Sequence, residues 1–148
     1  MKHDCSIYKL ATLIFLLLAS EFANAAWVEV DPSENRAFIM FYDPESIDKV
    51  GDIATIKTLK NYKEAKNSVD PDKPYKFLSQ TTVQEINCLR KKYRHREISM
   101  WSGLNATGKM EQKHMYSGEK GWGERVRFGS IESVVIDKAC RPKEINKI

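Results

Sequence analysis

The run Tyr75–Cys88, YKFLSQTTVQEINC, decides how the rest of the chain is read. It is rich in β-prone residues, with Thr81-Thr82-Val83 at its centre, and holds no glycine or proline. On the two-residue period of a strand it places Leu78, Thr82, Ile86 and Cys88 on one face. A long strand with such a face belongs inside a sheet that another layer covers.

Working outward, the neighbouring segments read as further strands. Upstream, Trp27–Val30 is a short strand closed by the turn Asp31-Pro32-Ser33. Ala37–Tyr42 is apolar on both alternating faces, as expected of a central strand. Asp43-Pro44-Glu45-Ser46 is expected to stop it, with Ile47 in a short connection ending at Gly51-Asp52. Ile53–Tyr62 reads as a long strand and residues 63–74 as a polar exposed loop. Downstream, Leu89–Lys92 turns the chain into a strand at Tyr93–Trp101. A segment punctuated by Gly103 and Gly108 leads to another strand near Lys109–Tyr116, and Gly118–Gly123 reads as a loop.

The chain then changes period. Ser130 has the position of a helix N-cap, and Ile131, Val134 and Val135 lie on one helical stripe. Cys140 ends that helix and Arg141-Pro142 stops it. The expected fold class is therefore α+β: a mainly antiparallel sheet of about six strands in a meander, with a C-terminal α-helix packed on one face.

The N-terminus reads as a removable export signal. Lys2, His3 and Lys9 make a weakly basic start, Leu10–Ala19 is uncharged, and Ala23-Asn24-Ala25 supplies the small-x-small cleavage pattern. About ten apolar residues are too few to span roughly 30 Å of hydrocarbon. The expected organisation is a signal peptide over residues 1–25 and a single domain over residues 26–148, in the periplasm or at the cell surface. Cys5 precedes the apolar stretch rather than following it, so no lipid anchor is expected there. No second apolar stretch approaches membrane-spanning length. The net charge of +4 is mildly basic and far from a nucleic-acid-binding composition.

Two cysteines remain after cleavage, Cys88 and Cys140. In an oxidising compartment an even pair reads most simply as a disulfide, which would pin the helix to the sheet. The competing reading is a reactive or metal-binding thiol, which would want a C-x-x-C pair or clustered histidines.

These features occur in a recognisable order. Trp27-Val28 is followed by Phe41-Tyr42-Asp43-Pro44-Glu45-Ser46-Ile47, then Leu59-Lys60-Asn61-Tyr62. Next come Gln84-Glu85-Ile86-Asn87-Cys88, the basic Arg90-Lys91-Lys92-Tyr93-Arg94, Trp101-Ser102-Gly103 and finally Cys140. In that order the chain resembles the surface-adhesin protein E family of small exported bacterial proteins. The resemblance implies an antiparallel sheet with a disulfide-tied C-terminal helix. It also implies an adhesive role toward host extracellular-matrix and serum proteins.

The sharpest local feature is Arg90–Arg96, with five fixed positive charges in seven residues. On a strand, Arg94 and Arg96 point to one face while Tyr93 and His95 point to the other. Arg90, Lys91, Lys92, Arg94 and Arg96 are the candidate contacts for sulfated or phosphorylated glycans or an acidic protein patch, joined by Trp122 in its glycine-rich loop. The alternative is a solvated strand whose charges guard an edge against aggregation.

Other chemistries are weaker. His95 and His114 lack cysteine or histidine at ligand spacing, so no metal site or cofactor is expected. Ser102 is outside a G-x-S-x-G elbow and suits turn chemistry, and Asp43 with Glu45 lies at a turn. Gly118-x-x-Gly121-x-Gly123 lacks the strand-to-helix setting of a phosphate loop, and Asn105-Ala106-Thr107 reads as an ordinary turn. The reading is a non-catalytic exported binding module. An envelope-associated periplasmic protein with no host ligand is the alternative, and sheet-edge pairing into a homodimer is open but specified by no residue.

Overall fold

A computed structural model describes residues 26–30, 37–118 and 121–141. The leader with its cleavage pattern, the turn at Asp31-Pro32-Ser33 and the stop at Pro142 lie outside the described residues. Six strands form one sheet in chain order: β1 (Val28–Glu29), β2 (Phe38–Val50), β3 (Ile53–Asn67), β4 (Lys76–Asn87), β5 (Lys92–Trp101) and β6 (Met110–Met115). Every neighbouring pair is antiparallel, so the sheet is a meander as expected. One helix, α1 (Ile131–Cys140), follows.

Alternation divides the sheet into two faces. Met40, Ala54, Ile56 and Ile86 meet Ile131, Val135, Ile136 and Ala139 of α1 in one apolar core. The buried stripe of α1 thus runs through Ile136 and Ala139, with Val134 only half-buried beside it. Ser130 caps the helix by accepting the Ser133 N–H at 3.2 Å. At the other end the Lys49 ammonium donates to the Cys140 carbonyl at 3.2 Å, a cation placed where the helix dipole is negative. The Cys88–Cys140 disulfide ties that end to the β4–β5 turn.

Two strands run further than expected. Asp43-Pro44-Glu45-Ser46 does not stop β2, which continues to Val50 through a register shift between Asp43 and Asp48. Pro44 lies within the shift, where the ladder does not call on its missing N–H. The Asp43 carboxylate accepts the Glu45 N–H at 3.0 Å. The Ser46 hydroxyl donates to the Asp43 carbonyl at 2.6 Å and accepts the Lys57 N–H at 2.8 Å, so it bridges the strands across the bulge. Ile47 thereby returns to the core instead of lying in a connection.

The second correction is at β3, which runs past Tyr62 to Asn67 after another register shift, leaving a shorter loop. Its polar end is solvated while Lys66 and Asn67 still pair with Phe77 and Lys76. The turn at Gly51-Asp52 is as expected, with Gly51 at φ +59°.

On the face opposite α1, the chain after β5 folds back as a cap. Ser79 donates its hydroxyl to the Gly103 carbonyl at 2.6 Å and accepts the Ala106 N–H at 3.0 Å. Asn61 pairs with Asn105, and the Trp101 indole donates to Thr81 at 3.2 Å. Beneath this cap Leu59 and Ser79 are fully buried. The cap holds one end of that face and leaves the other open.

Candidate functional site

The open part of the helix-free face is built by the β4–β5 hairpin. Its register pairs Asn87 with Lys92, Ile86 with Tyr93, Glu85 with Arg94 and Gln84 with His95. Since Ile86 faces α1, Tyr93 and His95 lie on the covered side, and Glu85, Lys92 and Arg94 on the open one. A shift then pairs Val83 with Glu97, leaving Arg96 as the extra residue of a bulge. The bulge leaves Arg96 on the same side as Arg94.

Glu85 organises both arginines. Arg94 directs Nε to Glu85 Oε2 at 2.6 Å, and its Nη2 approaches the same oxygen at 2.5 Å. Arg96 Nε lies 3.4 Å from Glu85 Oε1. The Gly118 carbonyl accepts from Nη1 of Arg94 at 3.0 Å and of Arg96 at 3.1 Å. Above them the Trp122 ring lies 4.7 Å from the Arg94 guanidinium carbon, a stacked cation–π contact. Arg94 is mostly covered, with 14% of its side chain exposed, whereas Arg96 keeps 35%.

The charge balance decides what this face can do. One carboxylate answers two guanidiniums, and Lys92, half-exposed beside them, has no carboxylate partner among the described residues. A net positive ladder remains, its arginines held in fixed orientation. Arg96 Nη2 has no partner among the described residues. Lys57 lies on the same face, over the Trp27 ring at 5.8 Å.

The predicted contact residues therefore divide. Lys92, Arg94, Arg96 and Trp122 come together on the helix-free face. Arg90 and Lys91 lie in the turn, where Asn87 accepts the Arg90 N–H at 2.8 Å and Lys91 reaches Asp137 of α1 at 3.4 Å. Trp122 is half-buried because its segment lines the outer edge of β5. Gly123 donates to the Tyr93 carbonyl and Val126 to the Lys91 carbonyl, each at 3.0 Å.

Sequence reasoning missed Glu85 and the Gly118 carbonyl. Glu85 had a signal: the Leu89-Arg90 turn sets it directly across from Arg94. The role of a glycine carbonyl has no signature in side-chain pattern.

The covered side carries a different cluster. His95 packs edge-on to Tyr93, with ring centres 5.4 Å apart, and its Nδ1 is buried with no partner among the described residues. Burial, and then the charge of Lys60, push the imidazole below its ordinary range. The Lys60 ammonium sits 4.6 Å over the Phe38 ring and is lowered by burial, with Glu132 opposing the shift. Ser102 serves the cap, accepting the Lys109 N–H at 2.9 Å, and the Asp43 carboxylate serves the β2 bulge. Among the described residues no three His, Cys, Asp or Glu side chains cluster to hold a metal, and no helix is long and apolar enough to cross a membrane.

A family profile described as surface-adhesin protein E matches residues 27–141, from the first strand through the end of α1. This chain belongs to the surface-adhesin protein E family. Crystal form II of Haemophilus influenzae protein E is similar at 14% identity and a TM-score of 0.52, over 76% of this chain and 95% of that one. Another structure of Haemophilus influenzae protein E is similar at 14% identity and a TM-score of 0.48, over 77% and 92% of the two chains. No curated protein sequence matches the chain. The protein E likeness at TM-score 0.52 supports the sheet-plus-helix fold. A surface-adhesin-like role follows from membership of the family. The helix-free face is where this family member carries its organised basic ladder.

Proposed function

We propose that the mature domain is an exported, non-catalytic binding module that holds sulfated glycans of the host matrix, or acidic patches on matrix and serum proteins. The contact is the helix-free face at Lys92, Arg94, Arg96 and Trp122. The observation that carries this reading is the Glu85–Gly118 bracket, which fixes two guanidiniums side by side while leaving that pair net positive. A guanidinium held in place loses less freedom on meeting a sulfate or carboxylate than a loose lysine would. Trp122 adds a flat apolar surface beside the charge, suited to a sugar ring or an aliphatic side chain. Export follows from reading residues 1–25 as a signal peptide cleaved near Ala25.

The test is retention on immobilised heparin and on matrix proteins. Lys92→Gln combined with Arg96→Gln should lower affinity by about tenfold at unchanged melting temperature. Unchanged retention sinks the assignment of this face. Protease treatment of intact producing cells tests the setting: digestion with a periplasmic control protected fits an adhesin. Full protection supports the envelope-associated periplasmic alternative instead.

A further inference from the structure

A second surface stands apart from that face, at the corner where the β4–β5 turn meets the segment before α1. Leu89 in the turn is 76% exposed, and Phe128, two residues before the Ser130 cap, is fully exposed. The Val126-to-Lys91 backbone bond fastens these two segments together. An open cavity of about 310 Å³ lies there, lined by Lys91, Arg125, Val126, Phe128, Ile136 and Asp137. Val126 and Ile136 give it apolar walls, and Lys91 and Arg125 give it cations. Val50, 74% exposed, ends β2 at the adjacent β2–β3 turn, which is joined to the corner by the bond from the Cys88 N–H to the Asp52 carbonyl at 2.8 Å.

The corner carries a small excess of positive charge. Arg90, Lys91, Arg125 and Arg127 stand among Asp52, Glu124, Glu132 and Asp137, with Lys49 and Lys138 on the flanking turn and helix. The ion pair formed there among the described residues, Lys91 with Asp137, is solvent-exposed and holds its partners weakly. Phe128 and Leu89 contribute nothing to the core, so packing does not account for large apolar side chains at these positions.

We infer that this corner docks on an anionic lipid surface. Phe128 and Leu89 enter the interfacial layer, and Arg90, Lys91, Arg125 and Arg127 meet the lipid phosphates. Apolar side chains on separate turns, interleaved with cations, suit a headgroup layer that yields around each tip independently. A folded protein partner would need a preformed pocket for each of them. The corner shares no side chain with the Lys92–Arg94–Arg96–Trp122 face, so either assignment can fail alone.

Co-sedimentation of the mature, disulfide-bonded protein with vesicles tests this. Vesicles rich in phosphatidylglycerol should bind it, pure phosphatidylcholine vesicles should not, and added salt should weaken the binding. Phe128→Ser should cut partition by about tenfold at unchanged melting temperature, and Phe128→Trp should retain it. Absence of binding overturns the inference. So does binding that ignores both Phe128→Ser and Leu89→Ser, which would mean charge alone. Capture by soluble poly-glutamate without capture by vesicles also overturns it, in favour of an acidic protein.

Discussion

The two faces of the sheet are built from the same strands and solve opposite problems. On the covered face, Met40, Ile56 and Ile86 meet Ile131, Val135 and Ile136, and the disulfide fixes the arrangement. On the open face, Glu85, Arg94 and Arg96 stand in place of apolar side chains, held by ion pairs, a loop carbonyl and an indole ring. Burial stabilises the first face in a non-directional way and leaves nothing for a partner. Hydrogen bonds stabilise the second only modestly, but they aim charged groups outward. One hairpin serves both: alternate residues of β5 face the core as Tyr93 and the solvent as Lys92 and Arg94.

The contrast breaks most visibly if the covered face loses its tie. Cys140→Ser should cost about 4 kcal/mol of unfolding free energy, because the disulfide spans 52 residues of chain. Urea denaturation would measure it, and oxidised and reduced wild type should differ by a similar amount. A negligible loss would mean that the apolar stripe of α1 alone holds the helix.

Next in size is the bracket on the open face. Glu85→Gln leaves two guanidiniums without their counter-charge at a mostly covered position and should cost about 2 kcal/mol. A double-mutant cycle with Arg94→Gln should recover a coupling energy, since the pair is closely bonded. Additive losses would show that Glu85 does not organise Arg94. Trp122→Ala should cost less, about 1 kcal/mol for the stacked contact, while lowering heparin retention.

The smallest effect sharpens the comparison from the covered side. His95 has a folded-state pKa pushed down by burial and by Lys60, so the unfolded chain takes up its proton first as pH falls. Its contribution is therefore present above the ordinary histidine pKa near 6.5 and is lost as pH falls through that value toward the folded one. Melting temperature should drop on acidification through that range, and His95→Gln should flatten the drop. A variant whose profile matches wild type would remove His95 as the cause.

Much of the fold is legible in the sequence because it rests on local pattern. Ser130 and Cys140 bound the helix through its cap and its stop, and the alternation of Tyr75–Cys88 marks a central strand. The places where local reading fails are the ones where tertiary contacts override it. Asp43-Pro44 is a strong turn signal, yet Ser46 bridging to Lys57 converts it into a bulge inside β2. The polar run after Tyr62 reads as a loop, yet pairing with Phe77 and Lys76 keeps it in β3. For the site, strand alternation put Arg94 and Arg96 together, but composition could not show that Glu85 and the Gly118 carbonyl bind them or that Arg90 and Lys91 turn away. Those facts depend on register and on a loop returning from the far side of β6.

The division between faces is most directly tested by titrating the amide-resolved NMR spectrum of the mature protein with a sulfated oligosaccharide. The account predicts shifts at Glu85, Lys92, Arg94, Arg96, Gly118 and Trp122, with Ile131–Cys140 of α1 silent. Shifts confined to α1, or none at concentrations that saturate immobilised heparin binding, would contradict it.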